Sequence, residues 1–107
     1  LCDRANMLGS RLKQRLESFR DDVPEISDIR GPGFMNAVEF ANPTTKEPDA
    51  GFAVRVKDIA FEKGLILLTC GVHGNVIRFL SPITITDPVF SEALDILETS
   101  MREARKA

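Results

Sequence analysis

The sequence predicts an α+β fold: an α-β-β-α-β-β-α sandwich with helices packed on a small, mostly antiparallel four-stranded sheet. Three observations carry this. Apolar residues recur at spacings of three and four in three separate stretches, with charged residues largely off the stripe, which marks amphipathic helices. Between them lie four short apolar or alternating runs bounded by Gly, Pro, Asn and Asp, which read as strands. The order α-β-β-α-β-β-α shows no internal repeat and no low-complexity segment, which fits helices packed on one small sheet.

The first helix is marked by Leu1, Ala5, Leu8, Leu12, Leu16 and Phe19, with Arg4, Arg11, Lys13 and Glu17 outside that stripe. Asp21, Asp22 and Pro24 end it. Residues 25–30 read as a strand that stops at Gly31-Pro-Gly33. A second strand over 34–40 places Phe34, Val38 and Phe40 on one face. Residues 42–48 form a polar loop with two prolines. Asp49 is the expected N-cap of the second helix, Phe52, Val56, Ile59 and Ala60 its buried stripe, and Gly64 its stop. Residues 65–69 are almost wholly apolar and predict a strand covered on both faces. After a turn over 71–75 comes the last strand, 76–80. Asp87 and Pro88 are read as an N-cap and a proline in the first helical position, opening a helix buried through Phe90, Leu94, Leu97, Met101 and Ala104.

Composition narrows the function classes. A chain of 107 residues with 43% hydrophobic content can bury a single core. The net charge of -2 comes from interspersed charges, with no basic patch for nucleic acid. No apolar run approaches the roughly 20 residues of a membrane helix. Two cysteines, Cys2 and Cys70, make no disulfide framework and fit a reducing, cytoplasmic setting. The chain opens at Leu1 in helix-like sequence, which suggests a piece of something longer.

Little of the titratable chemistry is organised. Arg30-Gly-Pro-Gly33 lacks the lysine and following helix of a phosphate loop and reads as a bend between strands. His73 is the only histidine, and with Cys70 it makes no metal site. Nothing near Cys70 would activate its thiol, so it reads as a packed strand-end residue. Arg78 differs. In the strand 76–80 it alternates onto the face of Val76 and Leu80, opposite Ile77 and Phe79. Two readings stay open: an arginine paired with an acidic neighbour on an open sheet face, or a fork that holds a ligand carboxylate. Asn75, at the turn, could orient Arg78 or bind the same ligand.

Three segments then resemble a known family in the family's own order. They are Ile29-Arg-Gly-Pro-Gly-Phe-Met-Asn-Ala-Val-Glu39, Glu62-Lys-Gly-Leu-Ile-Leu-Leu-Thr-Cys-Gly71 and Asn75-Val-Ile-Arg-Phe-Leu-Ser-Pro-Ile-Thr-Ile85. The chain resembles the C-terminal small domain of class III (fold type I) pyridoxal-phosphate aminotransferases. The second and third segments are narrower than the class and resemble the 4-aminobutyrate branch. The likeness covers essentially the whole chain, so residues 1–107 are expected to be one domain, with a lead-in helix over 1–22 and an α/β body over 23–107.

The resemblance implies a transaminase that moves the amino group of 4-aminobutyrate to 2-oxoglutarate, giving succinate semialdehyde and glutamate. The enzymes for 5-aminovalerate are very close. It implies pyridoxal phosphate held by a separate large domain, which also carries the cofactor-binding lysine, and a homodimer. Lys13, Lys46, Lys57, Lys63 and Lys106 match no such lysine, so no catalytic residue is expected in this chain and the chain alone is expected to be inactive. Arg78 falls on the family arginine that binds the α-carboxylate of glutamate or 2-oxoglutarate. Because 4-aminobutyrate has one carboxylate and glutamate two, that arginine lacks its anion in one half-reaction. The family supplies a large-domain glutamate to pair with it then. The alternative from another class is a stand-alone α+β module that binds a small carboxylate through Arg78.

Overall fold

The computed structural model describes residues 2–30, 36–79 and 84–106. Helix α1 (Cys2–Phe19) runs into a single 3-10 turn (Arg20–Asp22). Strands β1 (Ile26–Arg30) and β2 (Asn36–Phe40) come next, then α2 (Ala50–Glu62), β3 (Leu68–Cys70), β4 (Val76–Phe79) and α3 (Asp87–Ala104). The predicted α+β class and element order hold. The sheet is antiparallel throughout, in the order β1-β2-β4-β3. β1 with β2 and β3 with β4 are hairpins, and α2 carries the chain from one hairpin to the other.

The helices form because their apolar residues line up on the side that meets the sheet. Ala5, Leu8, Leu12, Leu16 and Phe19 of α1 are buried, as are Phe52, Ala53, Val56 and Ala60 of α2. Phe90, Leu94, Leu97, Met101 and Ala104 of α3 complete the stripe set, and Ile29, Val38, Ile77 and Phe79 face them from the sheet. Edge-to-face ring contacts fix the seam, Phe40 on Phe52 at 4.9 Å and Phe79 on Phe90 at 6.2 Å between centroids. On the outside, α1 is tied to α3 by Arg4 and Arg11 on Asp87 and by Arg15 on Asp95 and Glu98. Arg102 donates to Glu98 and Asp22, and those two hydrogen bonds raise its pKa above the ordinary arginine value.

The caps show how local chemistry sets the element ends. The Asp49 carboxylate accepts from the Phe52 N–H at 3.0 Å, the expected N-cap. At the other end Gly64 takes φ +96°, and its N–H and that of Leu65 donate to the Phe61 and Ala60 carbonyls. That pair of bonds is the Schellman stop that glycine permits.

Three expectations need correction or fall outside the described residues. The N-cap of α3 is Thr86, in extended conformation, and Asp87 lies inside the first turn. There its charge meets Arg4, Arg11 and the helix N-terminus, so it serves the dipole and the seam rather than the cap. The third strand is shorter than the 65–69 run and is not covered on both faces: Ile66 is 74% and Leu68 54% exposed. The reason is topological, since β3 is an edge strand and the helices cover one face of the sheet only. The bend at Gly31-Pro-Gly33, the contribution of Phe34, and Leu80 lie outside the described residues.

Candidate functional site

The uncovered face of the sheet is where the polar chemistry gathers. Strand register places its residues in two rows. Arg30 opposes Ala37, Ala37 opposes Arg78, and Arg78 opposes Leu68. In the second row Asp28 opposes Glu39, Glu39 opposes Val76, and Val76 opposes Cys70. Their neighbours along each strand, Ile29, Val38 and Ile77, are buried on the opposite side, as the two-residue period of a strand requires.

Arg78 is exposed on this face, and among the described residues no hydrogen bond or ion pair holds it. The acidic groups of the face are taken by the other arginine. Arg30 Nη2 donates to Glu39 Oε1 at 2.7 Å, and Arg30 Nε lies 3.3 Å from Asp28 Oδ2. Of the two readings left open for Arg78, pairing with an acidic neighbour is therefore not what the structure shows. Among the described residues nothing engages the guanidinium's planar donor set, and Arg78 stands between Ala37 and Leu68 in the strand register.

The apolar surroundings of Arg78 also differ in detail from expectation. Val76 is only 7% exposed, because the backbone at Gly71 closes over it. A Cβ at Gly71 would lie 2.9 Å from Val76 Cγ2, and Gly71 has φ +92°. The exposed apolar neighbour is Leu68, which the strand pattern alone could not assign to this face. Cys70 is half-buried at the end of β3, a free thiol. His73 is exposed in the 71–75 turn. No group of three or more potential metal ligands exists among the described residues.

Asn75 is 3% exposed and is engaged with the backbone. Its Nδ2 donates to the Phe40 carbonyl at 2.8 Å, and its own backbone carbonyl accepts from Phe40 N–H at 2.9 Å. Asp49 N–H also donates to the Phe40 carbonyl, at 3.1 Å. Asn75 thus ties the start of β4 to the end of β2 and to the cap of α2. The structure brings it into the frame that carries Arg78 and gives its amide a bond inside that frame.

The sequence profile described as "Aminotransferase class-III" matches residues 1–101. The chain belongs to the class-III aminotransferases. It is 40% identical over 107 residues to the 4-aminobutyrate aminotransferase of Escherichia coli (strain K12), covering 99% of this chain and 25% of that protein. It is 42% identical over 103 residues to the 5-aminovalerate aminotransferase of Pseudomonas putida, covering 96% and 24%. Among solved structures, ornithine aminotransferase from Toxoplasma gondii, described with partial occupancy of PLP at its active site, superposes with TM-score 0.80 at 29% identity. That match covers 97% of this chain and 23% of the other. The chain therefore spans about a quarter of the length of the relatives it matches.

Class-III aminotransferases use pyridoxal phosphate, and the donor set of this chain can be tested against it. Lys13 lies on α1, Lys46 in the 42–48 loop, Lys57 on α2 and Lys106 beyond α3. Lys63 caps α2 and pairs with Glu103 at 3.0 Å. None stands on the open face beside Arg78. The described residues of this chain do not fit the cofactor's aldehyde, and the face offers instead an arginine fork suited to a carboxylate. No helix among the described residues is long and apolar enough to cross a membrane.

Proposed function

We propose that this chain is the C-terminal small domain of a pyridoxal-phosphate transaminase of ω-amino acids. Residues 1–22 are the lead-in helix and 23–107 the α/β body. In the complete enzyme the amino donor is 4-aminobutyrate and the acceptor 2-oxoglutarate. The 40% identity to the Escherichia coli 4-aminobutyrate enzyme supports that donor, while the 42% identity to the Pseudomonas putida relative supports 5-aminovalerate as the second reading. The enzyme acts as a homodimer with the cofactor in its large domain, in a reducing compartment such as the cytoplasm. This chain alone does not transaminate, because its lysines lie away from the open face.

The observation that carries the reading is Arg78, exposed and without a partner among the described residues, on the sheet face the helices leave open. Its task is to bind and orient. The fork takes two carboxylate oxygens of a dicarboxylic substrate and fixes the other end of that substrate in the site. Ala37 beside it leaves room for the ligand, and Leu68 gives one apolar wall. When the substrate has a single carboxylate, Arg78 has no anion from it, so donor and acceptor differ in how much each relies on this residue.

The test is Arg78→Ala in the complete enzyme, with the two half-reactions measured separately. Deleting one partner of a charged, desolvated pair costs about 2–4 kcal/mol, so kcat/KM for 2-oxoglutarate is expected to fall roughly 30- to 1,000-fold. The 4-aminobutyrate half-reaction is expected to lose less than about tenfold. Equal losses in both half-reactions would remove the assigned role.

A further inference from the structure

Glu39 stands in the same lattice relation to two arginines. In β1 its diagonal neighbour is Arg30, and in β4 its diagonal neighbour is Arg78, both reached across Ala37. Diagonal positions on adjacent strands are roughly 7–8 Å apart and within reach of long side chains. Glu39 nonetheless pairs with Arg30, at 2.7 Å, and leaves Arg78 alone.

Asp28 explains the choice. It sits directly opposite Glu39, and like charges in that position repel. Arg30 lies between the two carboxylates and engages both, through Nε to Asp28 and Nη2 to Glu39. One guanidinium can serve two acids because its donors point in several directions from a rigid plane. The Arg78 guanidinium, moved onto Glu39, would leave Arg30 with Asp28 only and gain one contact for one lost. It would also close the donor set that a ligand needs.

We infer that Arg30 is a positioning residue for Arg78: by holding Asp28 and Glu39 it keeps Glu39 off the Arg78 guanidinium, so that Arg78 stays open to a ligand carboxylate. The inference rests on the reading of Arg78 as the clamp. It makes Arg30 a contributor to acceptor selection that acts only by restraining Glu39.

The experiment measures glutarate binding to the complete enzyme by calorimetry, because this dicarboxylate has no reacting group. In Arg30→Gln, Glu39 turns to Arg78, and glutarate affinity is expected to fall by about three- to tenfold, a coupling of ordinary size for neighbouring groups. In Arg30→Gln/Glu39→Gln the competitor is gone, and affinity is expected to return to within about twofold of the unmodified enzyme. Glu39→Gln alone is expected to stay within about twofold as well, since Glu39 is already held on Arg30 and off Arg78. The double variant lacks the same ion pair as Arg30→Gln, so its recovery also excludes a folding defect. An unchanged affinity in Arg30→Gln, or no recovery in the double variant, overturns the inference. So does a Glu39→Gln gain equal to the Arg30→Gln loss, which would be the signature of net charge acting at a distance. Arg78→Ala separates the two readings: if it leaves glutarate affinity intact the clamp itself fails, whereas loss there with no effect of Arg30→Gln sinks the positioning role alone.

Discussion

Replacing Asn75 by aspartate changes one donor into an acceptor at nearly constant shape, in a setting where the donor is needed. The Nδ2 of Asn75 lies 2.8 Å from the Phe40 carbonyl in a site only 3% exposed. A carboxylate there faces a carbonyl oxygen, loses a hydrogen bond and leaves a charge buried without a partner. Asn75→Asp is expected to cost about 2–4 kcal/mol. Asn75→Ala removes the same donor without adding a charge. The Phe40 carbonyl then still accepts from Asp49 N–H at 3.1 Å, so no orphaned acceptor is created. Its cost is expected to be about 1–2 kcal/mol. The assay is thermal unfolding monitored by circular dichroism. Each kcal/mol moves Tm by about 4–8 °C in domains near this size, so aspartate should lower it roughly twice as far as alanine. Equal shifts for the two variants would mean that shape, and not the bond to Phe40, makes Asn75 matter. An unchanged Tm combined with a large fall in glutarate affinity would refute the structural role and make Asn75 a ligand contact.

Two further perturbations test the packing. Ser100 is fully buried in α3, and its hydroxyl has no hydrogen-bond partner among the described residues, so Ser100→Ala is expected to be neutral or to stabilise by up to about 1 kcal/mol, read from the urea midpoint. Gly71 and Gly64 both adopt positive φ, but a Cβ meets Val76 Cγ2 at 2.9 Å at Gly71 and nothing within 4 Å at Gly64. Gly64→Ala should cost about 1 kcal/mol for the backbone alone, and Gly71→Ala about 2–3 kcal/mol, both read from the same urea midpoint; the reverse order would contradict the close approach over Val76.

Much of the fold was legible because it depends on local rules. The spacing of Leu8, Leu12 and Leu16 is enough to bury one face of α1, and Asp49 and Gly64 mark the ends of α2 through chemistry that acts within a few residues. The same two-residue period that buries Ile77 and Phe79 sends Arg78 to the other side. What could not be read depends on distant partners. An apolar run such as 65–69 does not say whether one face or two is covered, and only the strand order makes Leu68 an edge residue facing outward. Thr86 and Asp87 are both good capping residues, and the choice of Thr86 frees Asp87 for Arg4 and Arg11, on the first helix at the far end of the chain. The pairing of Arg30 with Glu39 requires the β1–β2 register, which shifts at an irregularity between Ile26 and Asp28. The sequence pattern suggested either pairing or ligand binding for Arg78, and that register decides that the acids of the face go to Arg30.

The most direct test of the Arg78 clamp is a crystal structure of the complete enzyme with glutarate bound. One carboxylate is expected on the open sheet face, with both oxygens at about 2.7–2.9 Å from the Arg78 guanidinium, and Glu39 still on Arg30. Glutarate bound elsewhere with Arg78 still empty, or Arg78 turned onto Glu39 while the ligand is in place, would contradict it.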